Sequence, residues 1–500
     1  MQDRNPRRWL ILIVLCLATL VLVIDNMALT VAIPPLTADL GASAQDIQWI
    51  IDSYILVFAG LLLTAGSLSD RYGRRKVMII GLVLFGAASL FAAYSASPVQ
   101  LIAARALMGI GGALIMPSTL SILITVFDED ERRKAMSAWG AVAMLGLVGG
   151  PILGGTLIAA FEWGTVFLIN VPVAAIAIVA ALILMPESKG PQRKPDPLGA
   201  VLSVIGMTAL VWTIIELPHG INWASLAVTV VGIAAFIVWE LRTEHPMVPL
   251  KLFGNRAFSG GSVSLTLVQI GSGGLMLVLT QYLQFVLGYT PTEAGLVFIP
   301  LAIASLIFNG IGAGLGAKLG NRAMIVAGLL LCAGAFVLMS TLDPSDGFLL
   351  TGGALALIGA GSGLAMPAAI GSLMGAIPQE QAGVGSALND TIQQAGAALG
   401  VAVLGSILAS GYTDEMASAP EAARRSIADA LALGDSGLAA TAREAFTGSM
   451  STTFIIAAAG VVAAAILSLI VLPRQAKKDT PAAGEGAAAE AAPELAVAQH

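Results

Sequence analysis

Long apolar runs are the feature that most constrains what this chain can fold into. Fourteen stretches of mainly apolar residues, each bounded by charges or by Pro and Gly, follow one another along the 500 residues. Hydrocarbon holds no water for open backbone groups, so a run of about 20 such residues is predicted to cross a membrane as a helix. The predicted spans are 9–33, 47–68, 77–97, 99–124, 135–161, 164–185, 197–217, 222–241, 258–286, 292–315, 322–341, 347–374, 382–410 and 450–472.

Composition excludes the soluble classes of protein. Charged residues make up only 11% of the chain, against roughly 25% in a soluble domain. This excludes a soluble enzyme, a nucleic-acid binder and a disordered scaffold. Cys16, Cys332 and three scattered histidines provide neither a disulfide framework nor metal-ligand spacing, so no metal or other cofactor is expected. The predicted fold class is an all-α polytopic membrane protein, with the lipid bilayer as a partner.

The basic residues test the span count independently. Loops of even rank and the two terminal segments hold 21 of the 25 Lys and Arg residues. Basic loops stay on the cytoplasmic side, so both termini are expected there, in a multi-pass protein of the plasma (inner) membrane. Arg7 and Arg8 precede the first run and no small-residue cleavage site follows it, which favours an uncleaved helix over a signal peptide.

An internal repeat divides the chain. Leu107–Pro117 in span 4 recurs as Leu357–Pro367 in span 12, and three glycines of span 5 recur in span 13 at the same offset of 250 residues. Parallel repeated halves are typical of transporters. The expected organisation is a six-helix half at 1–186, inserted spans 7 and 8 at 187–256, a second six-helix half at 257–473, and a disordered cytoplasmic tail at 474–500. An outer loop at 411–449 is expected to be either a plain connector or two short amphipathic helices broken at Gly434–Asp435.

Six short motifs occur together. They are 66–76 (GSLSDRYGRRK), 146–155 (GLVGGPILGG), 101–109 (LIAARALMG), 24–34 (IDNMALTVAIP), 49–54 (WIIDSY) and 163–172 (WGTVFLINVP). With them the chain resembles the major facilitator superfamily, and within it the fourteen-span drug:proton antiporters and their quaternary-ammonium efflux branch, over about residues 9–410. The resemblance implies the major facilitator fold, with two pseudo-symmetric six-helix halves plus two inserted helices and 14 transmembrane helices.

The resemblance also implies roles for two motifs. Segment 66–76 would be a gating loop and segment 146–155 the antiporter helix. The implied residues are Gly66, Asp70, Arg71, Gly73, Arg74 and Arg75 of the loop and Gly146, Gly150, Pro151, Gly154 and Gly155 of the helix. The chain departs from the family pattern at Ser137, usually Gly, at Met108, often Gln, and at Met27, often Thr. Ala317 aligns with Asp70, so only the first loop keeps its acid.

The two motifs also have direct physical interpretations. Asp70 can accept hydrogen bonds from helix N-terminal amides and from arginines, which would form a breakable clasp; alternatively, the basic residues only hold the loop inside. Small residues in span 5 permit close helix packing. We expect them to form a seam between the two halves, the alternative being a generic helix contact.

Four ionisable residues lie inside predicted spans: Asp25, Asp52, Arg105 and Asp390. Each charge costs at least ~2.5–3.5 kcal/mol at the bilayer centre, so such groups are functional by default. At ~1.5 Å per residue, Asp25 and Arg105 lie at similar depths and could meet. We expect Asp25, Arg105 and Asp390 to carry proton coupling. The alternative for the first two is a structural ion pair without coupling.

A substrate pocket is predicted from residues near these charges. Asp52 would attract cations, and soft Met or aromatic walls suit varied apolar cations. The other expected pocket residues are Met27, Trp49, Tyr54, Gln269, Tyr282, Gln393 and Gln394. Each of these residue types also serves in ordinary packing or lipid contact.

The leading functional prediction is a monomeric, proton-coupled antiporter that exports lipophilic cationic drugs and dyes. An exporter of one endogenous metabolite or antibiotic is the first alternative. A membrane-embedded enzyme is disfavoured because the longest loop, 411–449, has no His, no Cys and no carboxylate tied to a nucleophile. An uptake symporter or passive facilitator is disfavoured by the resemblance of segment 146–155 to an exporter motif.

Overall fold

The computed structural model describes residues 6–472 except 43, 191–195, 217–221, 245, 247, 249, 344–347 and 379–380. Within these residues the chain forms eighteen α-helices and no strand. The helices are α1 Arg8–Leu40, α2 Ala44–Tyr72, α3 Arg74–Ala93, α4 Pro98–Val126, α5 Glu129–Ala160, α6 Thr165–Leu168, α7 Asn170–Leu184, α8 Pro197–Glu216, α9 Trp223–Arg242, α10 Arg256–Gln281, α11 Pro291–Val297, α12 Ile299–Leu319, α13 Asn321–Met339, α14 Phe348–Gly375, α15 Ala382–Glu415, α16 Glu421–Arg425, α17 Ile427–Ala432 and α18 Ser436–Val471.

The membrane-crossing helices agree with the sequence prediction. Thirteen helical segments of the described chain are long and apolar enough to cross a membrane. Helix α5, with 32 residues, lies against α1 and is the fourteenth of membrane length. Two predicted spans are each built from two helices, α6 with α7 and α11 with α12. The predicted fold class is confirmed.

The 411–449 segment is more helical than expected. Helix α15 continues to Glu415, and α18 already begins at Ser436, so the connection shortens to residues 416–435 with α16 and α17. Gly434 adopts a φ of 72°, and Asp435 caps α18 by accepting hydrogen bonds from the amides of Gly437 and Leu438. The first turns of α18 are too polar to count as an apolar run. The predicted tail, 474–500, lies outside the described residues.

Equivalent helices pack in the same way in the two halves. In the first half α5 packs on α1, and in the second α15 packs on α10. A Cβ at Gly146 would lie 2.8 Å from Val23 Cγ1 of α1, and one at Gly396 would lie 2.9 Å from Gln269 Cβ of α10. The expectation of a glycine seam between the halves is therefore wrong. The repeated motif instead forms the same kind of helix contact inside each half, α5 on α1 and α15 on α10.

The two halves contact each other through α2 and α4 against α15 and through α5 against α11 and α12. The end of the bundle that carries Arg8, Arg74, Arg75, Arg132 and Arg322 is called the basic end below. At this end α2 of the first half contacts α15 of the second. Helix α8 of the inserted hairpin packs on α2, where Trp49 and Trp212 make an edge-to-face contact with ring centroids 5.1 Å apart. The insert therefore braces the helix that carries Asp70.

Candidate functional site

A buried ion pair joins α1 to α4 in the first half. Arg105 Nη1 donates to Asp25 Oδ2 at 2.6 Å, and both side chains are fully buried. Their similar depth predicts that the two residues could meet, and the structure places them in contact. Because each charge would be very costly alone in hydrocarbon, the pair holds α1 and α4 together.

Other polar groups complete the surroundings of Arg105. Its Nη2 donates to Asn26 Oδ1 at 3.1 Å, and its Nε donates to the Ile50 carbonyl at 3.2 Å. The guanidinium also lies over the ring of Tyr54, 4.4 Å from the centroid. Arg105 is thus held from α1 and α2 at once, which requires the planar fork of arginine.

Asp25 has a second partner on α7. Asn170 Nδ2 donates to Asp25 Oδ1 at 2.7 Å and to Ser89 Oγ of α3 at 3.2 Å. Sequence reasoning missed both residues as members of this site. Asn170 lies in segment 163–172, a motif singled out for other reasons, whereas nothing in the sequence marks Ser89.

Asp390 has a very different environment on α15. It is 3% exposed, and its Oδ1 accepts a hydrogen bond from Asn389 Nδ2 at 3.0 Å. Its Oδ2 has no hydrogen-bond partner among the described residues, and neither do Ser386 Oγ and Asn389 Oδ1. Residues 386, 389 and 390 share one face of a helix. The second half therefore holds a buried acid that no described basic residue pairs with in a salt bridge.

Asp70 joins the two halves at the basic end. Its Oδ1 accepts from the Gly383 amide at 2.9 Å and its Oδ2 from the Val384 amide at 3.1 Å, in the first turn of α15. Arg74 Nη2 lies 2.8 Å from Asp70 Oδ1. A carboxylate at a helix N-terminus is stabilised by the free amides and by the helix dipole. This set of contacts is called the Asp70 clasp below.

Segment 185–188 supports the loop that carries the clasp. Glu187 accepts from the amides of Arg75 at 3.1 Å and Lys76 at 3.2 Å, and Arg75 Nη1 donates to the Met185 carbonyl at 2.7 Å. Gly73 has a φ of 116°, and a Cβ there would lie 2.6 Å from the carboxyl carbon of Glu187. Glycine is therefore required at 73, and Glu187 is a supporting residue that the sequence did not reveal.

Two further residues of segment 66–76 contact other parts of the molecule. A Cβ at Gly66 would lie 2.5 Å from Ala387 Cβ, so this glycine allows α2 and α15 to approach. The Arg71 guanidinium lies over the ring of its neighbour Tyr72. Asp70 and Gly66 therefore both contact the second half directly.

The residues predicted to line a pocket have different described contacts. Tyr54 lies beneath Arg105, and Trp49 contacts the inserted helix α8. Tyr282 is fully buried and its hydroxyl donates to the Asp343 carbonyl at 2.8 Å. Met27 lies against Gly150 and Gln269 against Gly396, in the two intra-half contacts. Asp52, Gln393 and Gln394 are half-buried.

The site can hold charge but shows no metal cluster. Among the described residues no group of three or more His, Cys, Asp or Glu could bind a metal ion. The arrangement offers two buried carboxylates, one paired with a guanidinium and one without a basic partner, and a breakable contact between the halves. These are groups that can bind a proton or an organic cation and respond to it.

Comparison with known proteins gives a consistent result. The profile of the Major Facilitator Superfamily matches residues 15–401. The multidrug efflux pump LfrA of Mycolicibacterium smegmatis is 35% identical over 483 residues, which cover 92% of this chain and 96% of LfrA. The methyl viologen resistance protein SmvA of Salmonella typhimurium is 36% identical over 414 residues, covering 81% of this chain and 84% of SmvA. The crystal structure of the human organic anion transporter MFSD10 (TETRAN) has a TM-score of 0.60 at 17% identity, covering 91% of this chain and 100% of that one, and this likeness shows the fold alone.

Proposed function

Since the chain belongs to the Major Facilitator Superfamily, the family that its motifs indicate, we propose that it is a proton-coupled antiporter that exports lipophilic cations by alternating access. That it is a multi-pass membrane transporter and not an enzyme follows from the family. The proposal adds the direction, the coupling ion and the substrate class. We also propose that the protein is a monomer in the plasma membrane with both termini in the cytoplasm. The proton gradient would drive transport without a cofactor.

The relatives support export and the cationic substrate class. LfrA is a multidrug efflux pump, and SmvA confers resistance to methyl viologen, which is an organic dication. Membrane potential contributes ~2.3 kcal/mol per charge per 100 mV. An exchange that carries net positive charge inward as protons can therefore drive a cation outward.

Asp390 is the observation that carries the proposal. Its carboxylate is buried, has no described basic partner and leaves Oδ2 without a hydrogen bond, so a proton or an organic cation can bind there. Asp25 is already paired with Arg105. We assign competition between substrate and proton to Asp390, and a second coupling proton to Asp25, where Arg105 and desolvation act in opposite directions on the charged form.

The Asp70 clasp supports alternating access. It ties the first turn of α15 to the first half, so the basic end cannot open until two hydrogen bonds break. Gly383 and Asp390 are seven residues apart on the same helix, about 10 Å along its axis. A movement of α15 that accompanies binding at Asp390 would therefore act directly on the clasp.

The test is substrate-driven proton movement. Everted vesicles that contain the protein are loaded with a pH-sensitive dye, and ethidium uptake into the lumen, which corresponds to export from the cell, is compared for wild type, Asp25→Asn, Asp390→Asn and the control Glu421→Gln. Glu421 is exposed in the 416–435 connection. We expect wild type and Glu421→Gln to exchange ethidium for protons, and each aspartate variant to lose coupling.

Three outcomes would contradict parts of the proposal. Ethidium transport without proton movement in wild type would remove proton coupling. Full coupling in Asp390→Asn would remove Asp390 from the exchange site. No transport across a broad panel of organic cations, including methyl viologen, would favour an exporter dedicated to one metabolite or antibiotic.

A further inference from the structure

The side-chain amide of Asn170 has an unbalanced set of hydrogen bonds. Its Nδ2 donates to Asp25 and to Ser89, while its Oδ1 has no hydrogen-bond partner among the described residues. The residue is fully buried. A buried acceptor without a donor is unfavourable, and such a group in a folded protein requires an explanation.

The orientation of this amide depends on the charge of Asp25. In the observed orientation a donor, Nδ2, lies 2.7 Å from the carboxylate oxygen Oδ1. The opposite orientation would bring the amide oxygen against a negatively charged oxygen. If Asp25 Oδ1 carries a proton, the preference reverses, because the new O–H needs an acceptor and a primary amide offers one on its other side.

The other groups around Asp25 leave this role to Asn170. Asp25 Oδ2 is held by Arg105 Nη1, and Asn26 Oδ1 and the Ile50 carbonyl also accept from Arg105. A proton on Asp25 is therefore expected at Oδ1, facing Asn170. Ser89 suits both orientations of the amide, because a hydroxyl can accept from Nδ2 or donate to Oδ1.

We propose that Asn170 is a positioning residue whose side-chain amide reverses when Asp25 gains or loses a proton. The amide donates to the carboxylate in one state and accepts from the protonated acid in the other. Each state of Asp25 then keeps its hydrogen bond to Asn170, so the proton can bind and leave without breaking the contact between α1 and α7. The inference rests on the proposed function only in making Asp25 a coupling acid.

A contact between helices would change with the proton. Asn170 is the first residue of α7, Asp25 lies on α1 and Ser89 on α3. Reversal of the amide therefore exchanges donors and acceptors at the junction of these three helices. The proposal also assigns a role to Asn170 of segment 163–172, a motif to which the proposed function assigns none.

Infrared titration of the purified protein in lipid nanodiscs, without substrate, tests this proposal. The infrared band of Asp25 is the carbonyl stretch of a protonated carboxyl group that is absent from the spectrum of Asp25→Asn. Labelling asparagine with ¹³C identifies the carbonyl bands of the asparagine side chains. We expect an asparagine carbonyl band to shift at the pH midpoint of the Asp25 band. Asn170→Leu should abolish that shift and move the Asp25 midpoint up by about one pH unit, a tenfold change in proton affinity, because the hydrogen bond that the carboxylate loses is charge-assisted and stronger than the one that the protonated acid loses.

Asn309→Leu is the matched control. Asn309 is also buried, but its Nδ2 lies 3.4 Å from Ser305 Oγ and has no described carboxylate partner. This variant should leave both bands unchanged. If Asn170→Leu does not fold, Asn170→Asp keeps the shape without the amide and must also lose the asparagine band shift.

Two results would overturn the proposal. One is an asparagine band that still shifts with pH in Asp25→Asn, and the other is an asparagine band that still shifts at the Asp25 midpoint in Asn170→Leu. Because no substrate is present, the result is independent of transport. Failure of ethidium-driven proton movement would contradict the proposed function and leave the titration as separate evidence on Asn170.

Discussion

Replacing Asp70 with Asn should release the basic end of the bundle. The carboxylate accepts one hydrogen bond from each of two amides of α15, and it is 7% exposed. Asparagine has one acceptor oxygen, and its NH2 group would face the remaining amide. A hydrogen bond to a charged group is worth about 1.5–3 kcal/mol. Losing one should destabilise the closed state by about 2 kcal/mol, which raises the ratio of open to closed protein roughly 30-fold.

Double electron–electron resonance measures this shift directly. Spin labels at Tyr72 and Leu319 are suitable, because both residues are exposed at the basic end and lie in opposite halves. We expect Asp70→Asn to move the distance distribution towards longer distances without substrate. The control is Glu131→Gln, which removes the ion pair with Arg8 at the same end but within the first half.

The reasoning would be refuted by either of two distributions. If Asp70→Asn matches the wild type, the clasp does not hold the basic end closed. If Glu131→Gln opens the protein as much as Asp70→Asn, the effect comes from general loss of charge at this end. Thermal unfolding of each variant shows whether the fold itself is intact.

Three further predictions concern packing and the buried ion pair. Gly150→Val should destabilise the protein by about 1–3 kcal/mol in thermal unfolding, because a Cβ there meets Met27 of α1. Gly149→Val should not destabilise it, because nothing lies within 4 Å of a Cβ at that position. Equal effects of the two substitutions would contradict the α1–α5 contact. Gly73→Ala should cost about 1–3 kcal/mol through its positive φ and should reduce transport, with normal stability and activity as the contrary result. Arg105→Lys should abolish coupled efflux although it keeps the charge, because lysine lacks the fork, and near-normal coupling would mean that charge alone suffices.

Much of the architecture could be predicted from the sequence. The number and order of the membrane helices follow from apolar run length, and the repeat at an offset of 250 residues indicates two related halves. The depth of Asp25 and Arg105 along their helices also predicts that they could meet. Because a helix has a fixed rise per residue, the depth of a residue in the membrane depends only on its position in its own segment. The neighbouring helices need not be known.

Contacts between helices were predicted less well. The glycines of segment 146–155 indicate close packing, but their partner is α1 and not the other half. The start of α18 at Ser436 was missed because a polar first turn can still be helical when it packs on the rest of the protein. The contacts of Tyr54 with Arg105 and of Trp49 with the insert were also not predicted.

The sequence by itself predicted fourteen membrane spans and two related halves, and it indicated the family to which the chain belongs. Those properties depend on the transfer of each segment into hydrocarbon and on motifs that are local in the chain. Only the tertiary structure decided that Asn170 binds Asp25, that Asp390 has no described basic partner, and that Asp70 holds the first turn of α15. These contacts depend on how each helix is rotated and tilted against its neighbours. The lateral packing of apolar helices depends on the shapes of the side chains on both helices, so it cannot be predicted from one segment alone.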